Sequence, residues 1–433
     1  MFKDMRRFII MAAMLLAGMA MADAQTGAWS GQLEVSGIKL SVVFHLDDDK
    51  PTMDSPDQGV KGIPAEIQRG AAGKIVVKIP SLGASYEGQW LINKVVGTFT
   101  QMGSSLPLNL VPGEPKLNRP QTPKGPFPYI TEEVAFNNGD VVLKGTLTLP
   151  EGASRETPVM VMVTGSGQQN RDEEIFEHKP FAVIADALAR AGIATLRYDD
   201  RGFSGYKGDI NACTVEDFKN DALAGIMLLR ERFDKVGVIG HSEGGTIALM
   251  LAAEGQADFI ISLAGMAVSG TETLVWQNRV ALTDAGLPKE VTDEYCRLIE
   301  EAYEARVNGE PLPKADNRNM PDALKQNYHA AQAQLMTPYM TQFLSVDVRP
   351  LLAKIECPVL ALNGTKDTQV EHESNLGALR SGLKENPKNR IESIEGLNHL
   401  FQHCTTGATS EYREIEETFA PEVLEMMISW YGF

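Results

Sequence analysis

The sequence predicts an α/β domain, a mostly parallel sheet with helices on both faces and a helical cap inserted late in the chain, preceded by a small all-β module. Three observations predict it. The runs Val159 to Val163, Ile193 to Tyr198, Val236 to Ile239, Phe259 to Leu263 and Val359 to Leu362 are short and continuously apolar, the pattern of strands buried on both faces. Helical patterns separate them, and strand-helix-strand alternation builds a parallel sheet. Upstream, from Trp29 to about Leu110, short alternating runs punctuated by Gly and Pro carry no helical period, as expected of an all-β unit over 25–110.

Taken in chain order, the first element is a targeting segment. Lys3, Arg6 and Arg7 precede an apolar run from Phe8 to Met19, followed by Ala22, Asp23 and Ala24. A basic head, a short apolar middle and a small-x-small site read as a signal peptide over 1–24, cut after Ala24. No other stretch approaches ~18 uninterrupted apolar residues, so no stable membrane insertion is expected after cleavage. The chain is therefore expected to be exported, periplasmic or extracellular.

Within the β module the clearest strands are Gln32 to Val35, Leu40 to His45, Lys74 to Ile79 and Val95 to Phe99. Residues 111–129 then carry Pro112, Pro115, Pro120, Pro123, Pro126 and Pro128, a density that is extended and poor in backbone donors and reads as an interdomain linker. The α/β domain is expected over 130–433. It opens on an antiparallel hairpin, Ile130 to Phe136 and Val141 to Leu149 around the turn 137–140. Thr214 is a helix N-cap, with Phe218, Ala222, Ile226 and Leu229 on one face of the helix it starts. Between about 269 and 346 the alternation gives way to a helical, charge-rich insertion. An insertion after a sheet strand can cover the strand C-termini, where ligands bind in such sheets, so it is read as a cap.

Bulk properties exclude several function classes. A formal net charge of -17 sets nucleic acid and anionic membranes against electrostatic repulsion. The four cysteines, Cys213, Cys296, Cys357 and Cys404, have no C-x-x-C spacing, so neither a zinc site nor a redox pair is indicated. Export permits a disulfide without requiring one.

The sharpest chemical signal is Gly240, His241, Ser242, Glu243, Gly244, which follows a strand and opens a helix. A serine nucleophile in that context sits on a tight turn, and the two glycines remove side chains that would collide there. A hydroxyl is a poor nucleophile until a base takes its proton, and the base needs an orienting acid. Asp367 follows the strand Val359 to Leu362, and His399 follows the strand Arg390 to Ile394. Among the seven histidines, His403 is the main rival. His241 is expected to pack beside the elbow, His45 lies in the β module, and His178, His329 and His372 fall outside the final-strand loop. Glu371 and Asp199 are the alternative acids.

Acyl transfer also needs backbone donors for the developing oxyanion. One is expected to be the N–H of Glu243. The other should come from the loop Thr164 to Asp172, with Ser166 favoured and Gly167 second. Asn170 stands where a dinucleotide motif needs its third glycine, so that loop is no G-x-G-x-x-G. Asp199, Asp200 and Arg201 read as a pinned structural turn, and Arg171 and Asp172 as structural or substrate-facing with equal weight. No metal and no cofactor is called for.

From about Ile130 onward the chain resembles α/β-hydrolases, in particular bacterial EstD-like esterases and the hydrolases grouped with serine aminopeptidases. The resemblance rests on Gly165-Ser166-Gly167-Gln168 with Arg171-Asp172, on Tyr198-Asp199-Asp200-Arg201-Gly202, on the elbow, on Pro358 through Asp367, and on Asn398-His399. It implies a Ser242, Asp367, His399 triad, no metal, and action on carboxylic esters, with a small-molecule, carbohydrate or lipid ester as substrate. The chain departs from the pattern in having Thr164-Gly165 where many lipases and esterases begin the oxyanion loop with His-Gly. The β module also looks like the N-terminal domain of similar exported hydrolases, through Trp29-Ser30-Gly31 and Ser55-Pro56-Asp57-Gln58, with a stabilising or substrate-positioning role. The same triad is compatible with an aminopeptidase, in which Glu173 or Glu174 would hold a free amine. A carbohydrate- or lipid-binding protein on a disabled hydrolase fold is the third reading, disfavoured by the intact triad.

Overall fold

The computed structural model describes residues 26–431 apart from 36–37, 48, 57–59, 102, 115–116, 204–205 and 207. The expected signal peptide lies outside the described residues. The chain divides into two compact units at Leu117/Asn118, inside the segment expected as a linker.

The first unit is a nine-stranded sheet of order β4-β3-β2-β1-β9-β8-β7-β6-β5. Its strands are β1 (Ala28–Val35), β2 (Ile38–His45), β3 (Thr52–Ser55), β4 (Val60–Pro64), β5 (Glu66–Arg69), β6 (Lys74–Ile79), β7 (Ala84–Trp90), β8 (Val95–Gln101) and β9 (Ser104–Pro112). The pairings are antiparallel, and β6 and β7 alternate buried with exposed positions, as expected of a sheet with one face on a core. Phe44, Ile75, Val77, Tyr86, Leu108 and Leu110 form that core, and Trp29 meets Trp90 edge-on at 4.6 Å between ring centres.

The second unit holds an eight-stranded sheet of order β10-β11-β13-β12-β14-β15-β16-β17. The hairpin β10 (Ile130–Asn138) and β11 (Val141–Leu149) is antiparallel, and β11 runs antiparallel to β13. β12 (Val159–Val163), β13 (Ala194–Tyr198), β14 (Val236–His241), β15 (Ile260–Leu263), β16 (Val359–Gly364) and β17 (Arg390–Ile394) are parallel. The continuous apolar runs have the expected cause. In β12, Val159, Val161 and Val163 enter the core on one face, while Met160 and Met162 enter the core on the other.

The first face is covered by α2 (Val215–Arg230), α3 (Glu243–Ala253) and α9 (His372–Gly382), and the second by α1 (Pro180–Arg190) and α10 (Pro421–Tyr431). Thr214 caps α2 through a reciprocal capping box with Asp217, as its sequence predicts. The insertion consists of α4 (Gly270–Asp284), α5 (Lys289–Asn308), α6 (Asp322–Leu335) and α7 (Pro338–Ser345), and the single turn α8 (Arg349–Leu352) follows it. The four insertion helices share a small core that includes Tyr295, Leu298, Ile299, Tyr328, Leu335 and Leu344.

The proline-rich stretch differs from a free linker. β9 already claims its start, and residues from Asn118 on are fastened to the second unit. Arg119 is buried and donates to the carbonyls of Phe176, Arg413 and Ile415. Gln121 bonds Phe419 and accepts from the Thr418 N–H. Backbone carbonyls absorb a guanidinium that would otherwise be costly to bury.

Candidate active site

The chain reverses direction across the sheet at β12, which pairs with β13 on one side and β14 on the other. A crevice opens at the C-terminal ends of strands at such a switch point. Every predicted site residue lies at that edge: the loop 164–172 after β12, the elbow after β14, Asp367 after β16 and His399 after β17.

Ser242 has φ 54° and ψ -121°, a conformation that costs energy for a residue with a side chain and is held only by its surroundings. The surroundings are close-packed backbone. A Cβ on Gly240 would lie 1.9 Å from the Gly244 carbonyl oxygen, and one on Gly244 would lie 2.1 Å from the Val163 carbonyl oxygen. The glycines are thus required by close approach, and the Ser242 N–H donates to the Leu263 carbonyl at 2.8 Å. Ser242 itself is half-buried.

Asp367 and His399 are brought together. His399 Nδ1 lies 2.7 Å from Asp367 Oδ2, both side chains being buried. The other carboxylate oxygen, Oδ1, accepts from the N–H groups of Gln369 and Val370 at 2.7 and 2.9 Å, so the acid's oxygens are directed before it meets the imidazole. Asn398 shapes the histidine loop: its buried side chain accepts from the Leu400 and Gln402 N–H groups and donates to Gln402 Oε1. His403 is on the surface, between Glu417 at 2.9 Å and Glu422 at 3.1 Å. His178 is fully buried, with Thr418 and the Tyr412 carbonyl as partners, and burial pushes its pKa down to about 4. Glu371 caps α9 by accepting from Glu373 and Ser374.

His241 does more than pack. Its Nδ1 is 2.9 Å from Glu173 Oε1 and its Nε2 is 2.9 Å from the His399 carbonyl oxygen. Both partners are acceptors, so the imidazolium form satisfies both. Burial opposes that charge, but Glu173 outweighs it and holds the pKa above the usual histidine value. Glu173 Oε1 also accepts from the Gly165 N–H at 2.7 Å. One buried carboxylate therefore joins the loop after β12, the elbow and the histidine loop. Glu173 is engaged inside the protein, which removes it as an anchor for a substrate amine. Glu174 pairs with Lys179 at 3.4 Å.

The two aspartates after β13 brace the loop 164–172 after β12. Asp199 accepts from the Arg171 backbone and guanidinium. Asp200 accepts from the Thr164 hydroxyl and the Gln169 N–H, and burial raises its pKa to about 8. Arg201 is buried against Asp221 at 2.7 Å, and Asp172 meets Arg197. Arg171 and Asp172 are thus structural, while Ser166 and Gly167 stand exposed at the loop's tip.

Sequence reasoning also missed a contact from the cap. Tyr339 on α7 donates to Glu243 Oε2 at 2.5 Å and lies close to Ser166. The Glu243 side chain is buried, its Oε1 has no hydrogen-bond partner, and desolvation raises its pKa to about 7. The residue expected to supply an oxyanion N–H thus carries a side chain that reports on the cap. Among the described residues, no group of three or more His, Cys, Asp or Glu side chains is arranged to hold a metal ion, and the four cysteines are free.

A switch-point crevice holding an elbow serine and a buried Asp–His pair defines a hydrolase of the α/β type. The chain belongs to the X-Pro dipeptidyl-peptidase (S15) family, whose profile matches residues 138–403. It is 29% identical over 281 residues to the esterase EstD of Thermotoga maritima, an alignment covering 63% of this chain and 62% of that protein. The chain thus aligns with about three-fifths of that relative's length. Among solved structures, Est1E from Butyrivibrio proteoclasticus matches 70% of this chain and 99% of its own at 17% identity and a TM-score of 0.41. The proline iminopeptidase of Mycobacterium smegmatis matches 70% and 98% at 15% identity and a TM-score of 0.43.

Proposed function

We propose that this chain is an exported serine hydrolase that cleaves carboxylic esters through an acyl-enzyme. Ser242 attacks the ester carbonyl as His399 takes its proton, Asp367 holds the imidazole in the required tautomer, and the N–H groups of Glu243 and Ser166 receive the oxyanion. His399 then returns the proton to the leaving alcohol, and water resolves the acyl-enzyme by the same route in reverse. The observation that carries the reading is the 2.7 Å contact between buried Asp367 and His399 on loops neighbouring the Ser242 elbow. The signal-like segment 1–24 supports export.

The family's name and the proline iminopeptidase likeness bring a second reading, cleavage of peptides from a free amino terminus. It needs a carboxylate at the substrate; of the two candidates for one, Glu173 is buried on Gly165 and His241, and Glu174 pairs with Lys179. Labelling with a fluorophosphonate probe beside Ser242→Ala, then turnover of aryl esters against X-Pro anilides, separates the two. Ester preference with Ser242-dependent labelling is the expected result; anilide preference transfers the assignment to peptidase, and no labelling removes it. Export is checked by the mature N-terminus, expected at Gln25.

A further inference from the structure

The catalytic edge does not say what the enzyme selects; the space beneath the cap does. A cavity of about 450 Å³ lies among α4, α5, α6 and α7 and reaches Ser166 and Gly167 of the oxyanion loop, a volume within the usual range of small-molecule sites. Among the described residues, its lining carries no Asp, Glu, Lys, Arg or His. The polar side chains are four phenols, Tyr295, Tyr303, Tyr328 and Tyr339, four carboxamides, on Asn278, Asn327, Gln332 and Gln334, and the Ser166 hydroxyl. Burial raises the pKa of all four tyrosines, that of Tyr303 to about 12, so the lining is neutral wherever an ester survives.

This composition discriminates. A cationic amine would enter without a counter-charge and a carboxylate or phosphate without an Arg or Lys, each at a desolvation cost with nothing to offset it. An unadorned alkyl chain would cover the carboxamide oxygens and offer them no donor in place of water. The donors also show which partner is missing. The Tyr339 hydroxyl proton goes to Glu243, that of Tyr328 goes to the Pro313 carbonyl at 2.7 Å, and Asn278 Nδ2 donates to the Leu274 carbonyl at 2.8 Å. The phenol oxygens of Tyr295, Tyr303 and Tyr328 in turn take carboxamide donors from Asn327, Asn278 and Gln332, so the groups left to a ligand are chiefly amide oxygens, acceptors that suit a ligand bringing its own O–H donors. Tyrosine rings beside Leu274, Ile299 and Phe343 supply flat apolar surface for the faces of a ring.

Building on the ester-hydrolase reading, we propose that the cap cavity binds an uncharged ring bearing hydroxyl groups, so that the natural substrate is an ester of such a ring. The shared chemistry admits two sources, the alcohol side as a sugar or the acyl side as a hydroxyaryl acid, and Asn278 and Gln332 are specificity-determining residues for either.

The test compares the mature protein with Asn278→Leu and Gln332→Leu on four esters: an acetylated methyl glycoside, a methyl hydroxycinnamate, 4-nitrophenyl octanoate, and an alanine ester with a free amine. Each kcat/KM is divided by that for 4-nitrophenyl acetate. One of the two hydroxylated substrates should give the highest ratio, which identifies the source, and either variant should lower that ratio at least 10-fold. Preference for the octanoate or the aminoacyl ester, or ratios indifferent to both substitutions, would overturn the proposal. Equilibrium binding of the methyl glycoside and of the free hydroxycinnamate to Ser242→Ala protein is measured in parallel. Binding that Asn278→Leu weakens at least 10-fold sustains the cavity assignment even where the triad fails to turn over any ester; no binding of either ring overturns it.

Discussion

The floor of the site and its roof are built by different means. The floor is made of strand ends and loops in which backbone touches backbone, as where Gly240 meets Gly244 and Gly244 meets Val163. Buried polar pairs tie its loops together: Asp367 with His399, Glu173 with His241 and Gly165, Asp200 with Thr164 and Gln169. The roof is four helices around a core of their own, with charges such as Arg279–Asp293 and Arg318–Glu301 kept outside and a neutral cavity within. Tyr339 to Glu243, Gln277 to the Gln369 carbonyl, and Gln342 to the Glu216 N–H are hydrogen bonds that join roof to sheet domain. A close-packed floor holds reacting groups to the tolerance that chemistry demands. A roof attached through side chains can change its lining without disturbing that floor.

The sharpest break in this contrast is a substitution in the floor that leaves the roof intact. Ser242→Ala, His399→Ala and Asp367→Asn are each expected to lower kcat by about 10⁴-fold or more while leaving the fold unchanged. Combining any two should add little, because the three act as one unit. Steady-state kinetics on 4-nitrophenyl acetate with circular dichroism checks this, and additive losses would mean that the groups act separately.

A smaller effect probes whether the floor is fastened by charge. Glu173→Gln keeps the shape but removes the counter-charge of His241, whose pKa lies above the usual value because of it. In the variant that pKa should fall, as burial is then opposed only by the His399 carbonyl and Asp367, and kcat should drop about 10- to 100-fold with KM little altered, as expected when catalytic positioning is lost. NMR titration of His241 and kinetics read the two consequences independently. A fall in kcat without a shift in the His241 titration would show that Glu173 acts through Gly165 alone.

The floor was largely legible in the sequence, and the roof's attachment was not, for a physical reason. Strands buried on both faces advertise themselves as continuous apolar runs, so β12 matches its predicted limits, and the loops at strand ends locate Ser242, Asp367 and His399 without any knowledge of packing. Glu173 with His241, and Tyr339 with Glu243, are pairs far apart in the chain whose partnership is created by burial. Before folding they are only an acidic loop residue and a tyrosine on an amphipathic helix. In the first unit, β6 and β8 stood out, whereas β4 is mostly exposed and β7 places Gly88 among its inward positions, which weakens the alternation that marks a strand. The segment 111–129 read as a linker from its prolines, which count backbone donors and say nothing of Arg119 finding three carbonyls.

Tyr339→Phe addresses the seam itself. The ring stays packed against Phe218 and Phe343, while the bond to Glu243 is lost and a buried carboxyl is left with less satisfaction. A drop of about 3- to 10-fold in kcat/KM is expected, within the ~1 kcal/mol scale of one hydrogen bond, much smaller than for any floor residue. A loss comparable to Ser242→Ala would place the phenol among the reacting groups and erase the distinction between floor and roof.

The mildest expected change is in the pH dependence of stability. Burial raises the Glu243 pKa from 4.5 to about 7, so the folded state binds this proton more tightly than the unfolded chain does. The sign follows from linkage: the contribution is fully present below pH 4.5 and is lost as pH rises through about 7. Glu243→Gln, which cannot ionise, should therefore gain melting temperature relative to the parent as pH goes from 5 to 8, by a few degrees. Asp200 acts in the same direction, with a pKa raised to about 8, but it is present in both proteins and cancels in the difference. Repeating the comparison in a Tyr339→Phe background should widen the gap, since the Tyr339 bond lowers the Glu243 pKa against desolvation. A difference between parent and Glu243→Gln that is flat from pH 5 to 8 would mean that the carboxyl is already hydrated, and that the roof closes over the elbow less tightly than the 2.5 Å Tyr339 contact requires.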